Sequence, residues 1–137
     1  MITYAGAVYP WQCDHMGHVN VTAYVGAFDQ ATWAFFFSIG LTPTVLRNGA
    51  VGMAALEQRL TYKRELMPGD VIEISTRLMD MREKTVRFVH TMKNRESGET
   101  AAECELIAAC LDKAARKARA FPAEIAARVR AVKAEAP

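Results

Sequence analysis

The residues best suited to chemistry lie between Trp11 and Asn20, just before an apolar stretch with helical spacing. Asp14, His18 and Asn20 stand there with Gly17 among them. The free amides at a helix N-terminus carry partial positive charge and can hold an oxyanion. A carboxylate beside such amides indicates acyl-transfer chemistry, with Asp14 as general base or nucleophile on a carbonyl. The alternative is that Asp14 and Asn20 only cap the turn and the helix. Capping is the commoner role of such residues.

The same stretch contains a second candidate pattern, Cys13-x-His15-x-x-His18, whose side chains are ligands that zinc accepts. Its spacing matches none of the usual paired zinc motifs, and no second Cys/His cluster stands nearby in the sequence. We therefore predict no metal.

Composition restricts the class of protein. The chain has 137 residues, 51% of them hydrophobic and 23% charged, which predicts a single globular domain over residues 1–137. A net charge of +2 argues against nucleic-acid binding. No apolar run reaches the ~20 residues that span a bilayer, and the N-terminus has no secretory pattern. Three scattered cysteines fit a reducing cytoplasm.

A long helix and several strands must position the candidate site. Ile2 to Tyr9 is β-compatible, and the apolar spacing from about Val21 to Ile39 predicts a helix that is apolar around much of its circumference and hence buried. Gly40 is a C-cap candidate, and Pro43 cannot continue that helix. Alternating or apolar runs predict four further strands at Val51 to Tyr62, Ile72 to Leu78, Val86 to Met92 and Ala102 to Cys110.

Turn signals between these runs predict an antiparallel meander, and Pro122 starts a short terminal helix. The expected architecture is α+β, with a curved antiparallel sheet wrapped around one long central helix. One chain of this length has too little sheet to cover such a helix. We therefore expect a homodimer whose sheets join edge to edge.

One motif resembles the signature of the hotdog-fold acyl-CoA thioesterases of the 4-hydroxybenzoyl-CoA thioesterase type. It reads Asp14-x-x-Gly17-His18-Val19-Asn20-x-x-x-Tyr24-x-x-x-Phe28-x-x-Ala31. Weaker matches continue in order through Tyr62, Gly69-Asp70 and Ala118 to Pro122. The resemblance implies a hotdog fold, a dimer or a tetramer of dimers, and hydrolysis of a thioester to an acid and coenzyme A.

By the same resemblance Asp14 is the catalytic carboxylate, and Gly17, His18, Asn20 and the helix-start amides lie at the acyl carbonyl. Coenzyme A is then part of the substrate, and no cofactor is expected. The chain departs from the pattern where many members have a second Asn (Val21) and a Pro (Glu65), the latter in a loop. Asp29 on the helix and Glu57 on a strand are alternative acids, and Glu57 also suits an interface salt bridge.

Further residues are candidates for substrate contact. Val21, Tyr24, Trp11 and Glu57 are expected near the acyl group, although the many rings of the helix region also suit ordinary packing. Tyr9-Pro10-Trp11 resembles the subgroup acting on betainyl-CoA, whose quaternary ammonium would suit an aromatic cage. Basic side chains that could pair with coenzyme A phosphates are Arg82, Lys84, Arg87, Arg116, Lys117 and Arg119.

Two other functions are compatible with the same fold. A non-catalytic acyl-CoA-binding hotdog module would bind such esters without turnover, but the intact Asp14 motif counts against it. A hotdog hydratase would need a different Asp/His arrangement on the helix, and the sequence offers no equivalent.

Overall fold

A computed structural model of the protein describes residues 1–135, with side chains up to residue 133. The predicted order of a strand, a long helix, four strands and a terminal helix is confirmed. The bounds are β1 Ile2–Ala7, α1 Val21–Ser38, α2 Pro43–Asn48, β2 Val51–Tyr62, β3 Val71–Met81, β4 Thr85–Asn94, β5 Thr100–Asp112, β6 Lys117–Ala118 and α3 Ala123–Glu135, with a 3-10 turn at Pro10–Gln12.

The strands form one six-stranded sheet in the order β1-β3-β4-β5-β2, with β6 also paired to β5. Tight hairpins join β3 to β4 and β4 to β5, and β1 pairs antiparallel with β3. The predicted meander is therefore correct only for β3 to β5. It is wrong for β2, which lies at the far edge beside β5 rather than next to β3, because strand pairing is a long-range choice that local alternation does not encode.

Helix α1 ends as the sequence predicts. The Leu41 N–H donates to the Phe36 carbonyl at 2.9 Å, and the Gly40 N–H donates to Phe37 at 3.0 Å. Gly40 has φ +96°, the left-handed conformation that such a C-cap needs.

One apolar face of α1 is not covered by this chain's own sheet, in line with the expectation that one chain has too little sheet to cover the helix. Phe28, Ala31 and Phe35 are fully buried, but a stripe four residues apart is exposed within the chain. That stripe includes Val21, Val25, Trp33 and Phe37.

Pro43 starts a second helix, which the sequence interpretation missed. The Thr42 side chain accepts the Val45 N–H at 3.2 Å, and Pro43 occupies the first turn, where its missing donor costs nothing.

The residues group into two compact units through which α1 and the strands β2 to β5 run. The first contains Met1–Ala34, Leu60–Thr76 and His90–Cys104, and the second contains Phe35–Arg59, Arg77–Val89 and the chain from residue 105 onward. In the first unit Phe28 of α1 stacks on His90 of β4, with ring centroids 5.9 Å apart. In the second, Phe35 lies 4.8 Å from Phe88. Each unit thus packs α1 against the sheet.

A buried polar chain crosses the core of the first unit. His90 is fully buried, and its Nε2 and Nδ1 lie 2.8 Å from the Thr32 hydroxyl and 2.7 Å from the Thr76 hydroxyl. Because the Thr32 hydroxyl donates to the Phe28 carbonyl, it accepts from the Nε2–H of a neutral His90. Burial lowers the pKa of His90 from 6.5 to about 4.

Candidate active site

The loop before α1 is closed by backbone hydrogen bonds. Cys13 and Val19 form an antiparallel bridge, and the Asp14 N–H donates to the His18 carbonyl at 3.1 Å. Gly17 turns the chain with φ +85° and donates to the Asp14 carbonyl at 3.0 Å. The Val19 N–H donates to Leu66 at 2.9 Å, which ties the loop to the segment between β2 and β3. Gly17 thus shapes the loop without lining the cleft described below.

Asp14 is exposed, and its Oδ1 accepts the Met16 N–H at 2.8 Å. Among the described residues its Oδ2 has no hydrogen-bond partner. The carboxylate therefore combines a turn-closing contact with one oxygen that can take a proton or attack a carbonyl.

Asn20 is the N-cap of α1. Its Oδ1 accepts the Ala23 N–H at 2.9 Å and also the Thr22 hydroxyl, and its carbonyl accepts the Tyr24 N–H at 3.3 Å. The capping alternative therefore describes this residue correctly. Within the part of the chain that the structure describes, the amides of Val21 and Thr22 meet no acceptor. They are the helix-start donors available to an oxyanion.

A cleft of about 310 Å³ brings together four of the predicted site residues, Asp14, His18, Val21 and Tyr24. Asp14 lines the cleft from the loop, and Val21 lines it from the first turn of α1. The remaining lining residues are Val19, Tyr62, Lys63, Arg64 and Glu65. The site thus has a carboxylate and a helix N-terminus in one concavity, the combination needed to attack and stabilise a carbonyl.

The segment that closes this cleft after β2 was missed by sequence reasoning. Glu65, expected in a loop, lines the cleft and lies 3.7 Å from Nε2 of His18. Lys63 pairs with Glu103 at 3.2 Å, and Arg64 pairs with Glu99 at 3.2 Å. The only local signal was the consecutive charged run after the strand, which equally describes a solvated loop.

Tyr24 is the most buried polar side chain of the cleft. Its ring meets that of Tyr62 nearly at a right angle, with centroids 5.1 Å apart and planes at 70°. Its hydroxyl donates to the Arg64 carbonyl at 3.4 Å. Burial, and then the charges of Tyr62 and Glu65, raise the pKa of Tyr24, so the phenol stays protonated and remains a donor at neutral pH.

Trp11 and Asn20 line a different cleft, of about 270 Å³, on α1 residues that include Ala23 and Gly26. The Trp11 ring stacks almost parallel on Tyr9, with centroids 4.5 Å apart and planes at 10°. Two parallel rings in contact leave no space between them for a cation. Trp11, expected near the acyl group, thus lines a cleft other than the one that contains Asp14.

Other candidates lie outside the Asp14 cleft. Asp29 is exposed on α1, and Glu57 is exposed on β2. Arg82 lies 3.7 Å from Asp80, and Arg87 forms an ion pair with Glu105, so both have carboxylate partners in the second unit. Lys84 and Arg116 are exposed there as well. Contact of these four basic residues with coenzyme A stays a prediction.

Among the described residues no three His, Cys, Asp or Glu side chains converge as a metal site would require. Over the same residues, no helix is long and apolar enough to cross a membrane.

Residues 8–129 match the model of the Thioesterase-like superfamily, and the chain belongs to that superfamily. No curated protein matches it.

Solved structures show the same fold. A hypothetical protein of Staphylococcus aureus in complex with CoA is 24% identical, with a TM-score of 0.94 over 100% of this chain and 87% of that one. A thioesterase of Thermus thermophilus complexed with coenzyme A and Zn is 21% identical, with a TM-score of 0.83 over 99% and 96%. YbaW of Escherichia coli is 16% identical, with a TM-score of 0.81 over 96% and 98%. The predicted hotdog fold, a curled antiparallel sheet with a long helix, is confirmed.

Proposed function

We propose that the protein is an acyl-CoA thioesterase that hydrolyses a thioester to a free acid and coenzyme A. The observation that carries the proposal is the shared cleft of Asp14 and the first turn of α1. Membership of the Thioesterase-like superfamily supports it. Two structurally similar proteins were solved with coenzyme A bound, which supports the same substrate class here.

In the proposed mechanism the thioester carbonyl oxygen faces the amides of Val21 and Thr22. These amides stabilise the negative charge that develops on that oxygen in the transition state. Asp14 either takes a proton from the attacking water or attacks the carbonyl carbon itself. Collapse of the tetrahedral intermediate breaks the C–S bond and releases coenzyme A as a thiolate, which is then protonated. His18 and Gly17 shape the loop that presents Asp14.

A covalent route forms a mixed anhydride on Asp14. Attack of water on the Asp14 carbonyl of this anhydride leaves a solvent oxygen in the side chain, whereas attack on the acyl carbonyl labels only the acid product, as direct hydrolysis of the thioester does. Label in the Asp14 peptide after a single turnover in ¹⁸O-labelled water, read by mass spectrometry, therefore establishes the covalent route. If only the acid is labelled, trapping with hydroxylamine during a single turnover separates the remaining routes, because an anhydride yields the hydroxamate of Asp14 or of the acyl group faster than the thioester itself reacts.

For the acyl group we propose a short chain, with betainyl as the specific candidate. Tyr62, which packs at about 70° against the buried ring of Tyr24, is 47% exposed in the cleft, and Glu65 adds a carboxylate there. A quaternary ammonium over such a ring gains about 0.5–2 kcal/mol. Betainyl-CoA and its neutral isostere 3,3-dimethylbutyryl-CoA differ only in charge, so the ratio of their kcat/KM values measures this preference directly. A ratio near one removes the betainyl assignment.

For the coenzyme A moiety we propose that Arg82, Lys84, Arg87 or Arg116 contacts a phosphate. Guanidinium and ammonium groups suit phosphate oxygens. Lys84 and Arg116 are exposed, whereas Arg82 and Arg87 already have carboxylate partners within the chain. Alanine variants that raise KM with kcat unchanged support a phosphate contact, and unchanged KM in all four removes it.

The test of the proposed activity is thiol release from a panel of acyl-CoA esters with short, long, aromatic and betainyl acyl groups. We expect turnover of at least one ester. Binding of the esters without thiol release supports a non-catalytic acyl-CoA-binding module instead. Absence of both binding and release contradicts the proposal.

A further inference from the structure

A small cavity lies directly behind the Asp14 cleft. Its volume is about 10 Å³, roughly the least that holds one water-sized group. Val19 and Tyr24 line both the cleft and this cavity, so their side chains form the wall between the two spaces. Behind the wall the lining is mostly apolar and includes the fully buried side chains of Leu66 and Met92.

The cavity leads on to the cleft of about 270 Å³ that contains Trp11, here called the Trp11 cleft. The cavity and the Trp11 cleft have four lining residues in common, Tyr4, Gln12, Ala23 and Ala27. Three spaces thus follow one another along the first two turns of α1, all within the first compact unit. The middle one is too small to admit an acyl chain as long as the wall stands.

The Tyr24 ring is held firmly in this wall. It is 6% exposed, and its centroid lies 5.1 Å from that of Tyr62. Its hydroxyl donates to the Arg64 carbonyl at 3.4 Å. Contacts at the ring and at the hydroxyl favour one orientation, so the ring is a standing boundary of the Asp14 cleft.

The end of the cleft at Tyr24 suits the acyl group better than coenzyme A. Val19 and Tyr24 are buried there, whereas the charged lining residues at positions 63 to 65 are exposed. Burying the charged nucleotide of coenzyme A against an apolar wall would be costly. With the carbonyl at the helix-start amides, the coenzyme therefore extends towards solvent and the acyl group lies against Tyr24.

We propose that Tyr24 limits the length of the acyl group, because its ring stops the chain at the wall and keeps the cavity and the Trp11 cleft closed to substrate. This inference rests on the proposed thioesterase function and specifies the substrate of that same site. A smaller side chain at position 24 joins the three spaces into one passage. Each methylene of a longer acyl chain that enters the passage then gains about fourfold in binding.

The test compares the chain-length preference of Tyr24→Ala with that of Tyr62→Ala. Both variants remove a tyrosine ring from the Asp14 cleft, but only Tyr24 also lines the cavity. The measured quantity is the ratio of kcat/KM for octanoyl-CoA to kcat/KM for butyryl-CoA. We expect this ratio to rise at least tenfold in Tyr24→Ala and to change less than threefold in Tyr62→Ala.

Three results overturn the proposal. They are an unchanged ratio in Tyr24→Ala, an equal rise in both variants, and a wild type that already prefers octanoyl-CoA to butyryl-CoA. Circular dichroism shows whether the variants fold. If Tyr24→Ala does not fold, Tyr24→Leu takes its place, since leucine keeps part of the buried apolar bulk while removing the far end of the ring.

Refilling the passage checks the path of the chain independently. Ala23 lines both the cavity and the Trp11 cleft, so Ala23→Leu places a larger side chain in the middle of the passage. In the Tyr24→Ala background it should return the octanoyl-to-butyryl ratio to the wild-type value. A ratio that stays raised shows that the longer chain does not pass through this cavity, and overturns the proposed passage.

Binding measurements separate this proposal from the proposed activity. Thioether analogues of coenzyme A with butyl and octyl groups cannot be hydrolysed, and isothermal titration calorimetry gives the ratio of their Kd values. If that ratio shifts at least tenfold towards octyl in Tyr24→Ala while no form of the protein releases thiol from any ester, the proposed function alone is overturned. Thiol release by the wild type with the same ratio in Tyr24→Ala overturns the role of Tyr24 alone.

Discussion

Asp14 and Val21, the first residue of α1, line the same cleft. The hydrogen bonds from Asp14 N–H to the His18 carbonyl and from Val19 N–H to Leu66 hold the intervening loop. Asp14 and the first residue of α1 are thereby held in one concavity, and under the proposed function this arrangement exists before any ligand binds. Such preorganisation matters because only donors already aimed at a developing charge lower the barrier without reorganisation.

The buried His90 makes stability depend on pH. Its folded pKa of about 4 lies below the ordinary value of 6.5, so the unfolded chain binds more protons between these values. The contribution of this pKa difference to the free energy of unfolding is fully present above pH 6.5. It is lost as the pH falls toward 4, and the total loss is about 3 kcal/mol. Urea unfolding at several pH values measures this slope.

His90→Gln is the matched variant for that measurement. It lowers stability at pH 7, because the Thr32 and Thr76 hydroxyls lose their ring partners. Its free energy of unfolding should fall much less between pH 6.5 and 4 than that of the wild type. An equal fall in both proteins assigns the pH dependence to other groups.

Two glycines on and after α1 should respond to alanine with opposite signs. Gly26 lies in the helix interior, and a Cβ there meets nothing within 4 Å, so Gly26→Ala should stabilise by about 0.5–1 kcal/mol. Gly40 has φ +96°, and its Cβ would lie 3.0 Å from Ile125 Cδ1. Gly40→Ala should destabilise by about 1–2 kcal/mol or more. Thermal unfolding gives the Tm of both variants. A change of Tm with the same sign in both contradicts the opposite roles given to these two glycines.

The Asn20 cap should contribute measurably to stability. Asn20→Ala removes the acceptor of the Ala23 N–H and should cost about 1 kcal/mol in urea unfolding. Asn20→Asp keeps an oxygen at the same position, and its negative charge suits the helix N-terminus. We expect that variant to stay close to the wild type. Equal losses in the two variants show that the side-chain oxygen is not the stabilising feature.

Much of the site could be predicted because its residues are close in sequence. Asp14, His18, Val21 and Tyr24 belong to one loop and one helix start, so their meeting follows from local structure. Lys63, Arg64 and Glu65 could not be placed in the same way. They reach the cleft because Val19 bonds to Leu66, a long-range contact with no signature in either segment.

For the fold as well, the features set by local sequence could be predicted and those set by long-range pairing could not. The bounds of α1 and the hairpins from β3 to β5 follow from periodicity and turn residues. The position of β2 at the edge depends on which strand it pairs with, which alternation does not specify. Helix α2 was missed although Thr42-Pro43 is a helix-start pattern, because Pro43 also ends any preceding helix.

The most direct test of the central claim compares Asp14→Asn with Asp29→Asn on the best ester of the panel. Both substitutions remove one exposed carboxylate, but only Asp14 lines the cleft. We expect Asp14→Asn to keep its fold by circular dichroism and to lose about 10²-fold or more in kcat, the scale of a lost general base. Asp29→Asn should retain the wild-type rate. Near-normal turnover by Asp14→Asn contradicts the account, and a loss confined to Asp29→Asn moves the chemistry to the helix.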